Sequence, residues 1–334
     1  MSALLPLYHP TTCLAVDDDR LYLDSFCYNY ADVTLCATEY RPERAIERLL
    51  KDAGRTGLAI DDANLPPAGD ERADDPVVRL PASRIAAMAS DPARFARVSV
   101  AIVDFAMPGM TGVELCRKIK HLPVRKILLT GKTTDATAVA AFNEGLIDLF
   151  LVKHDPELPG KLRRIIREQQ HAYFQALTAP LAPIAKLEDT AFLGEPAIAA
   201  WVRKFSARIK AVEHSLLLFP PGLMLSGEEG WVTNVWIYGA ERMRAQLEIA
   251  AEGGAPQALV ERLRAGDAIL ACPTQTGFYE QQHAQDWQQY VWPCEEIEGN
   301  SVWKVAIQRE PSPRRPAASL RQYRRSQAEL DCPT

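Results

Sequence analysis

One carboxylate at the end of an apolar run constrains this chain more than any other feature. Residues 98–103 are rich in β-branched side chains, Asp104 follows them directly, and the turn residues Pro108 and Gly109 come soon after. A short apolar, β-branched run bounded by turn residues is typical of a buried strand in a parallel sheet. The sequence therefore predicts a strand that delivers one acid to its C-terminal end.

The same pattern recurs at three other apolar runs of strand length. One run closes with Asp17 and Asp18, another with Thr130, and a third with Lys153. The C-terminal ends of parallel strands meet at one edge of a sheet, which is where open α/β folds bind ligands. We therefore expect these four groups to lie close to Asp104.

The chemistry of such a group of side chains is specific. Three carboxylates packed together repel one another unless a cation neutralises them, and Mg²⁺ prefers oxygen ligands of this kind. A carboxylate placed beside a magnesium ion, a hydroxyl and an ammonium is suited to attack a phosphoryl group. The expected product is an aspartyl phosphate.

On these motifs, residues 11–155 resemble the receiver domain of two-component response regulators. The resemblance implies that Asp104 is the phosphoacceptor, that Thr130 and Lys153 assist phosphoryl transfer, and that Thr130 and Phe150 form the switch. It also implies a Mg²⁺ cofactor with the following protein ligands: Asp17, Asp18, Asp104 and the main-chain carbonyl of Ala106. Asp19, the next acid in the first run, is predicted to be the N-cap of a helix that begins at Arg20.

The resemblance implies an α/β fold, with a flavodoxin-like, doubly wound parallel sheet of five strands. We assign the receiver domain to residues 1–155, with a long insertion at residues 54–97 that is rich in glycine, proline and aspartate around residues 61–76. Such a composition favours an exposed loop. In addition, His154 follows Lys153 where the family often has a proline after a cis bond, and whether this bond is cis stays open.

Residues after the predicted receiver domain divide into three parts. Residues 156–184 read as a connecting helix and linker, which either extends the last receiver helix or serves in dimerisation. Residues 185–310, which contain all six tryptophans of the chain, are predicted to form an α+β or α/β output domain. Residues 311–334 are a basic tail that is either solvated or a terminal helix.

The output domain has a poor charge balance for nucleic acid. Residues 180–310 contain 17 acidic and 11 basic side chains, whereas binding to nucleic acid depends on basic groups that neutralise phosphates. One segment of this domain, residues 273–290, is dense in aromatic and amide side chains, which either pack as a helix or line a pocket for a small ligand. The candidate pocket residues are Tyr279, His283, Asp286 and Trp287.

Composition and sequence pattern indicate the cellular compartment of the protein. The net charge is −5, no apolar run is long enough to cross a bilayer, and the first ten residues contain no basic group typical of a signal peptide. The seven cysteines show no metal-binding spacing, which favours reduced thiols. We therefore expect a cytoplasmic protein without a membrane partner.

These observations predict a response regulator of a phosphorelay. Its expected partners are a sensor histidine kinase or phosphotransfer protein and a second copy of itself, in a phosphorylation-dependent homodimer. The signal would pass through dimerisation or domain rearrangement to an output domain that does not bind DNA. The alternative is a phosphorylation-gated enzyme or an output domain that binds a nucleotide or another small ligand. The long insertion and the unfamiliar output domain resemble the Legionella quorum-sensing response regulators.

Overall fold

The chain divides into two units. The computed structural model describes residues 4–55, 85–131, 136–181, 188–308 and 318–330. Within these ranges, residues 10–55 and 93–177 form one unit, here called the parallel-sheet unit, and the remaining residues form a second, the antiparallel-sheet unit.

Strands and helices are numbered here along the whole chain. The strands are β1 (Leu7–Tyr8), β2 (Thr12–Val16), β3 (Leu35–Glu39), β4 (Val98–Asp104), β5 (Arg125–Thr130), β6 (Leu149–Val152), β7 (Ala211–Leu218), β8 (Pro221–Gly227), β9 (Val232–Gly239), β10 (Ala268–Leu270), β11 (Val291–Glu298) and β12 (Val302–Gln308). The helices are α1 (Arg20–Tyr30), α2 (Pro42–Arg55), α3 (85–90), α4 (Gly112–Lys118), α5 (Ala136–Asn143), α6 (Leu158–Thr178), α7 (Pro196–Ile209), α8 (Ala240–Glu252), α9 (Gln257–Arg264) and α10 (Leu320–Leu330).

The parallel-sheet unit is a doubly wound sheet of five strands in the order β3-β2-β4-β5-β6. All four strand pairs are parallel. Side chains alternate between the two faces, so that Ala101 and Val103 pack with α2, α4 and α5, whereas Val100 and Ile102 pack with α1 and α6. Both faces of β4 are therefore covered, which explains its largely apolar sequence. The predicted five-stranded, flavodoxin-like fold is confirmed.

Helix α6 runs for 21 residues and lies wholly within the predicted connecting segment, residues 156–184. Its first half places Leu162 and Ile166 against the parallel sheet. Farther along, the Gln170 side chain donates to the Thr11 carbonyl and to the Thr34 hydroxyl. No helix in the described ranges combines the length and the apolar character that a bilayer crossing requires.

The antiparallel-sheet unit is an α+β fold, which decides between the two predicted alternatives. Its seven strands lie in the order β1-β7-β8-β9-β12-β11-β10, and every neighbouring pair is antiparallel. Helix α7 covers one face through Ile198 and Val202, while α8 and α9 lie on the side that contains Tyr238 and Leu270.

The division into units differs from the predicted domain boundaries at three places. One is helix α6, since residues up to 177 group with the parallel-sheet unit although the receiver domain is predicted to end at residue 155. Strand β1 pairs with β7 of the antiparallel sheet, with Leu7 opposite Ser215. In α3, Ile85 is buried against Phe192 in the core of the same unit. Residues 4–9 and 85–92 thus group with the antiparallel-sheet unit rather than with the predicted receiver domain, because each adds buried apolar side chains to its core. Residues 56–84 of the predicted insertion lie outside the described ranges.

The described part of the basic tail is helix α10, which contacts the turn between β8 and β9. Leu320 is buried, the Arg324 side chain donates to Glu228 at 2.9 Å, and Arg321 forms an ion pair with Glu229. Two arginines of this helix are therefore paired with two acids of the same unit. Residues 309–317 and 331–334 lie outside the described ranges.

Candidate functional site

Four strands of the parallel sheet bring polar side chains to one edge. Asp17 follows β2, Asp104 ends β4, Thr130 ends β5 and Lys153 follows β6. Since these strands are adjacent and parallel, their C-terminal ends meet, as the sequence predicts.

Three carboxylates lie together at this edge. Oxygen atoms of Asp17, Asp18 and Asp104 all lie within 4.8 Å of one another. Asp17 and Asp104 are buried, whereas Asp18 is exposed. Burial raises the pKa of Asp17, and the neighbouring Asp104 charge raises it further, although hydrogen bonds from Lys153 and the Asp19 N–H act in the opposite direction. Holding both buried carboxylates ionised is therefore unfavourable unless a cation lies near them.

Lys153 supplies positive charge to this cluster. Its Nζ lies 2.6 Å from Asp17 Oδ2 and 3.0 Å from Asp104 Oδ1. Burial alone would lower the pKa of Lys153, but the hydrogen bonds to the two carboxylates outweigh it and raise the pKa. Among the described residues, the cis peptide bond is Phe219–Pro220, so the Lys153–His154 bond is trans.

Main-chain groups orient the two buried carboxylates. The Asp19 N–H donates to Asp17 Oδ1 at 2.9 Å, and the Ala106 N–H donates to Asp104 Oδ2 at 3.0 Å. A Cβ atom at Gly112 would lie 2.2 Å from the Asp104 carbonyl oxygen. Only glycine therefore allows helix α4 to begin this close to Asp104.

The two predicted switch residues occupy neighbouring strands. Thr130 is buried, and its carbonyl accepts a hydrogen bond from the Lys153 N–H at 2.8 Å. Phe150 is half-buried against the core, with its ring 6.3 Å from that of Phe142 in an edge-on arrangement. The main-chain bond couples Thr130 directly to the residue that carries the ammonium.

The acidic cluster suits a hard divalent cation. It offers carboxylate oxygens from one exposed and two buried residues, which is the ligand chemistry of Mg²⁺. The buried Asp17 carboxylate, whose pKa is raised, would be stabilised by such a cation. The ligand role of the Ala106 carbonyl stays a prediction.

Sequence reasoning gave Tyr22 no role in this site. Asp19 caps α1, as predicted, and accepts hydrogen bonds from the Leu21 and Tyr22 N–H groups. The cap places Tyr22 in the first turn, where its ring centroid lies 4.7 Å from Lys153 Nζ. Burial raises the pKa of Tyr22, so the phenol is neutral at physiological pH. An aromatic residue three positions after an N-cap is too common a pattern to reveal this contact.

The four candidate pocket residues in the antiparallel-sheet unit lie near one another, and most of them pack against neighbouring side chains. Tyr279 is buried in an apolar cluster, against which Trp287 is partly buried. His283 is also buried, its ring meets that of Tyr290 edge-on at 4.8 Å, and its Nδ1 lies 3.5 Å from Asp286 Oδ1. A ligand role for these residues stays a prediction.

A cavity of about 380 Å³ lies elsewhere in the antiparallel-sheet unit. Leu218, Phe219 and Phe278 form apolar walls, and the predicted pocket segment contributes one of them, Phe278. The guanidinium of Arg242 lines the cavity, lies 3.5 Å from the Phe278 ring centroid and forms a 2.9 Å ion pair with Asp189. The cavity therefore combines apolar surface with fixed charge, which is typical of small-molecule sites.

A family profile matches part of the parallel-sheet unit. The family profile described as "Response regulator receiver domain" matches residues 77–166. The search of curated proteins returned no match.

Solved structures extend the comparison. The Legionella pneumophila response regulator LqsR is similar over 97% of both chains, with 22% identity and a TM-score of 0.73. An adenylate cyclase from Rhodopirellula baltica matches 53% of this chain and 99% of its own, with 22% identity and a TM-score of 0.36. A CheY-like receiver domain protein from Methanospirillum hungatei matches 50% of this chain and 98% of its own, with 17% identity and a TM-score of 0.33. The first similarity shows a shared fold, and the profile match with the five-stranded sheet shows that the chain carries a response regulator receiver domain.

Proposed function

We propose that this chain is a cytoplasmic response regulator that accepts a phosphoryl group on Asp104. The observation that carries the proposal is the position of the Asp104 carboxylate, which lies beside two further acids and 3.0 Å from the Lys153 ammonium. The donor would be a phosphohistidine on a sensor histidine kinase or a phosphotransfer protein.

In the transfer step, an Asp104 carboxylate oxygen attacks phosphorus, the phosphorus–nitrogen bond breaks, and the histidine nitrogen keeps the electron pair. Lys153 already contacts Asp104, so its ammonium is within reach of a phosphoryl oxygen attached there. The Thr130 hydroxyl would donate to another of these oxygens. A Mg²⁺ ion held by Asp17, Asp18 and Asp104 would offset the negative charge of the phosphoryl group.

Phosphorylation would then change the surface formed by α5, β6 and α6. Phosphorylation adds charge at Asp104, which draws Thr130 and Phe150 towards it. Phe150 meets Phe142 edge-on, and both Phe142 and Val139 of α5 are large exposed apolar side chains. An exposed apolar patch next to the switch is suited to phosphorylation-dependent homodimerisation.

Light scattering tests dimerisation with beryllofluoride, a phosphoryl mimic, in the presence of Mg²⁺. We expect a shift from monomer to dimer in the wild type and in the control Asp24→Ala, which changes an exposed acid of α1, but not in Asp104→Ala. A wild type that binds beryllofluoride and stays monomeric would contradict dimerisation and would favour rearrangement within one chain.

The acidic composition of residues 180–310 supports an output that does not bind nucleic acid. A second candidate function for the antiparallel-sheet unit is ligand binding, which the cavity at Arg242 favours. Since all six tryptophans follow residue 200, their fluorescence reports thermal unfolding of this unit. The cavity lining includes Glu188, Asp189 and Glu241, so ligand binding predicts that an organic amine raises the melting temperature of this unit in the wild type but not in Glu241→Gln. A role in quorum sensing stays a prediction.

A further inference from the structure

The Lys153 ammonium has three neighbours rather than two. Besides Asp17 at 2.6 Å and Asp104 at 3.0 Å, it faces the ring of Tyr22, whose centroid lies 4.7 Å away. This distance lies within the range at which a cation is attracted to the face of an aromatic ring. The ammonium therefore contacts two carboxylates and one aromatic ring.

The ring itself is fixed by the fold. The Asp19 carboxylate accepts the Tyr22 N–H at 3.2 Å, which sets the position of Tyr22 in the first turn of α1. The ring then packs on Phe26, with 6.5 Å between the ring centroids, and Phe26 is 2% exposed. Tyr22 thus has little freedom to move away from Lys153.

Lys153, by contrast, carries a flexible side chain. Its main chain lies in a turn and is tied to β5 through the hydrogen bond to the Thr130 carbonyl, but this bond does not fix the four side-chain torsions that set the position of Nζ. A lysine loses considerable rotamer freedom when it is held in one geometry. A fixed ring beside the ammonium reduces the number of alternative positions.

We propose that Tyr22 is a positioning residue that holds the Lys153 ammonium against Asp104, ready for the incoming phosphoryl oxygen. The inference rests on the proposed function, because it assigns Lys153 a task in phosphoryl transfer. Tyr22 acts through Lys153 and does not itself touch the phosphoryl group. The interaction depends on the aromatic face, so phenylalanine at position 22 preserves it and leucine removes it.

The first test needs neither metal nor activity. The Lys153 ε-carbon is bonded to the nitrogen that lies over the Tyr22 ring, so we expect the ring current to shift its protons upfield in NMR spectra. With ¹³C-labelled lysine, and with the Lys153 signal assigned from its loss in Lys153→Arg, we expect this shift in the wild type and in Tyr22→Phe. We expect it to disappear in Tyr22→Leu and to persist in the control Tyr28→Leu, which changes an exposed tyrosine of the same helix. Absence of the shift in the wild type would overturn the proposal even if a variant failed to fold.

The second test measures the beryllofluoride concentration for half-saturation at a fixed Mg²⁺ concentration. Loss of one cation–π contact corresponds to about 5-fold weaker binding in Tyr22→Leu, with wild-type values in Tyr22→Phe and Tyr28→Leu. Equal binding by Tyr22→Leu and the wild type would refute the positioning role. A wild type that binds no beryllofluoride would refute the phosphoacceptor function instead, and the NMR experiment would still decide whether Tyr22 holds Lys153.

Discussion

Replacing Lys153 with glutamine removes the ammonium that lies between two buried acids while keeping a hydrogen-bond donor of similar reach. Oxygen atoms of Asp17 and Asp104 lie within 4.8 Å of each other. At an effective dielectric constant of about 20, two like charges at this distance repel by about 3.5 kcal/mol. Breaking a buried ion pair by removal of one partner typically costs about 3–5 kcal/mol, so we expect Lys153→Gln to lose about 3 kcal/mol of stability at pH 8 without metal.

The loss should depend on pH and on magnesium, because both change the charge of the acidic pair. Burial raises the pKa of Asp17, so at pH 5 this carboxylate takes up a proton more readily and the repulsion falls. A bound Mg²⁺ ion replaces the missing positive charge. We therefore expect the destabilisation to shrink at pH 5 and to shrink again when Mg²⁺ is added at pH 8.

Native-state hydrogen exchange of the β4 amides is the appropriate assay, since the tryptophans lie in the other unit and do not report on this one. Lys161→Gln is the matched control, because Lys161 forms ion pairs with Asp155 and Glu157 on the surface, where such pairs contribute little. Equal destabilisation of Lys153→Gln at both pH values, unaffected by Mg²⁺, would refute the electrostatic account of the cluster.

Three further predictions concern single contacts. Gly112→Ala should destabilise the parallel-sheet unit by about 1–3 kcal/mol in amide-exchange measurements, because the added Cβ would collide with the Asp104 carbonyl. The control is Gly131→Ala, which should leave amide exchange unchanged because a Cβ at Gly131 meets nothing within 4 Å. Glu195→Ala should cost about 2 kcal/mol in tryptophan-detected unfolding, because this buried carboxylate accepts main-chain N–H groups at the start of α7 and in the β11–β12 turn. Burial alone would raise the pKa of Glu195, but these hydrogen bonds outweigh it and lower the pKa. The stability that the Glu195 carboxylate contributes should therefore be lost as pH falls through this lowered pKa. Equal destabilisation by Glu195→Ala at low and at neutral pH would contradict the prediction. Because the pKa of Asp17 is raised, the stability of the metal-free wild type should fall as pH rises from about 4 through the folded-state pKa. Amide-exchange measurements on metal-free Asp17→Asn should lack this fall. A variant with the same pH dependence as the wild type would exclude Asp17 as the cause.

The parallel-sheet unit was predictable because its signals are local. Each strand is an apolar run that ends in a polar residue, and parallel pairing carries these ends to one edge without further information. The positions of Asp17, Asp18, Asp104 and Lys153 follow directly from this rule. Tyr22 does not, because its contact with Lys153 depends on the packing of α1 rather than on any periodic pattern.

Features of the antiparallel-sheet unit were harder to predict, because they also depend on contacts between residues that are distant in the sequence. Its central strands have clear boundaries in the sequence, but β1 is only two residues long and pairs with β7, about 200 residues away. Aromatic residues also leave the distinction between core and pocket open, since both environments favour them. The burial of Tyr279 is decided by β10 and α9 around it, which its local sequence does not specify.

The most direct test of the account is the site of phosphoryl transfer. The protein is incubated with acetyl phosphate and Mg²⁺, the acyl phosphate is trapped by borohydride reduction, and the modified residue is located by mass spectrometry. We predict a single modified position at Asp104, dependent on Mg²⁺ and lost in Asp104→Asn. Modification at another residue, or none in a wild type that demonstrably binds Mg²⁺, would contradict the assignment of Asp104 as the phosphoacceptor.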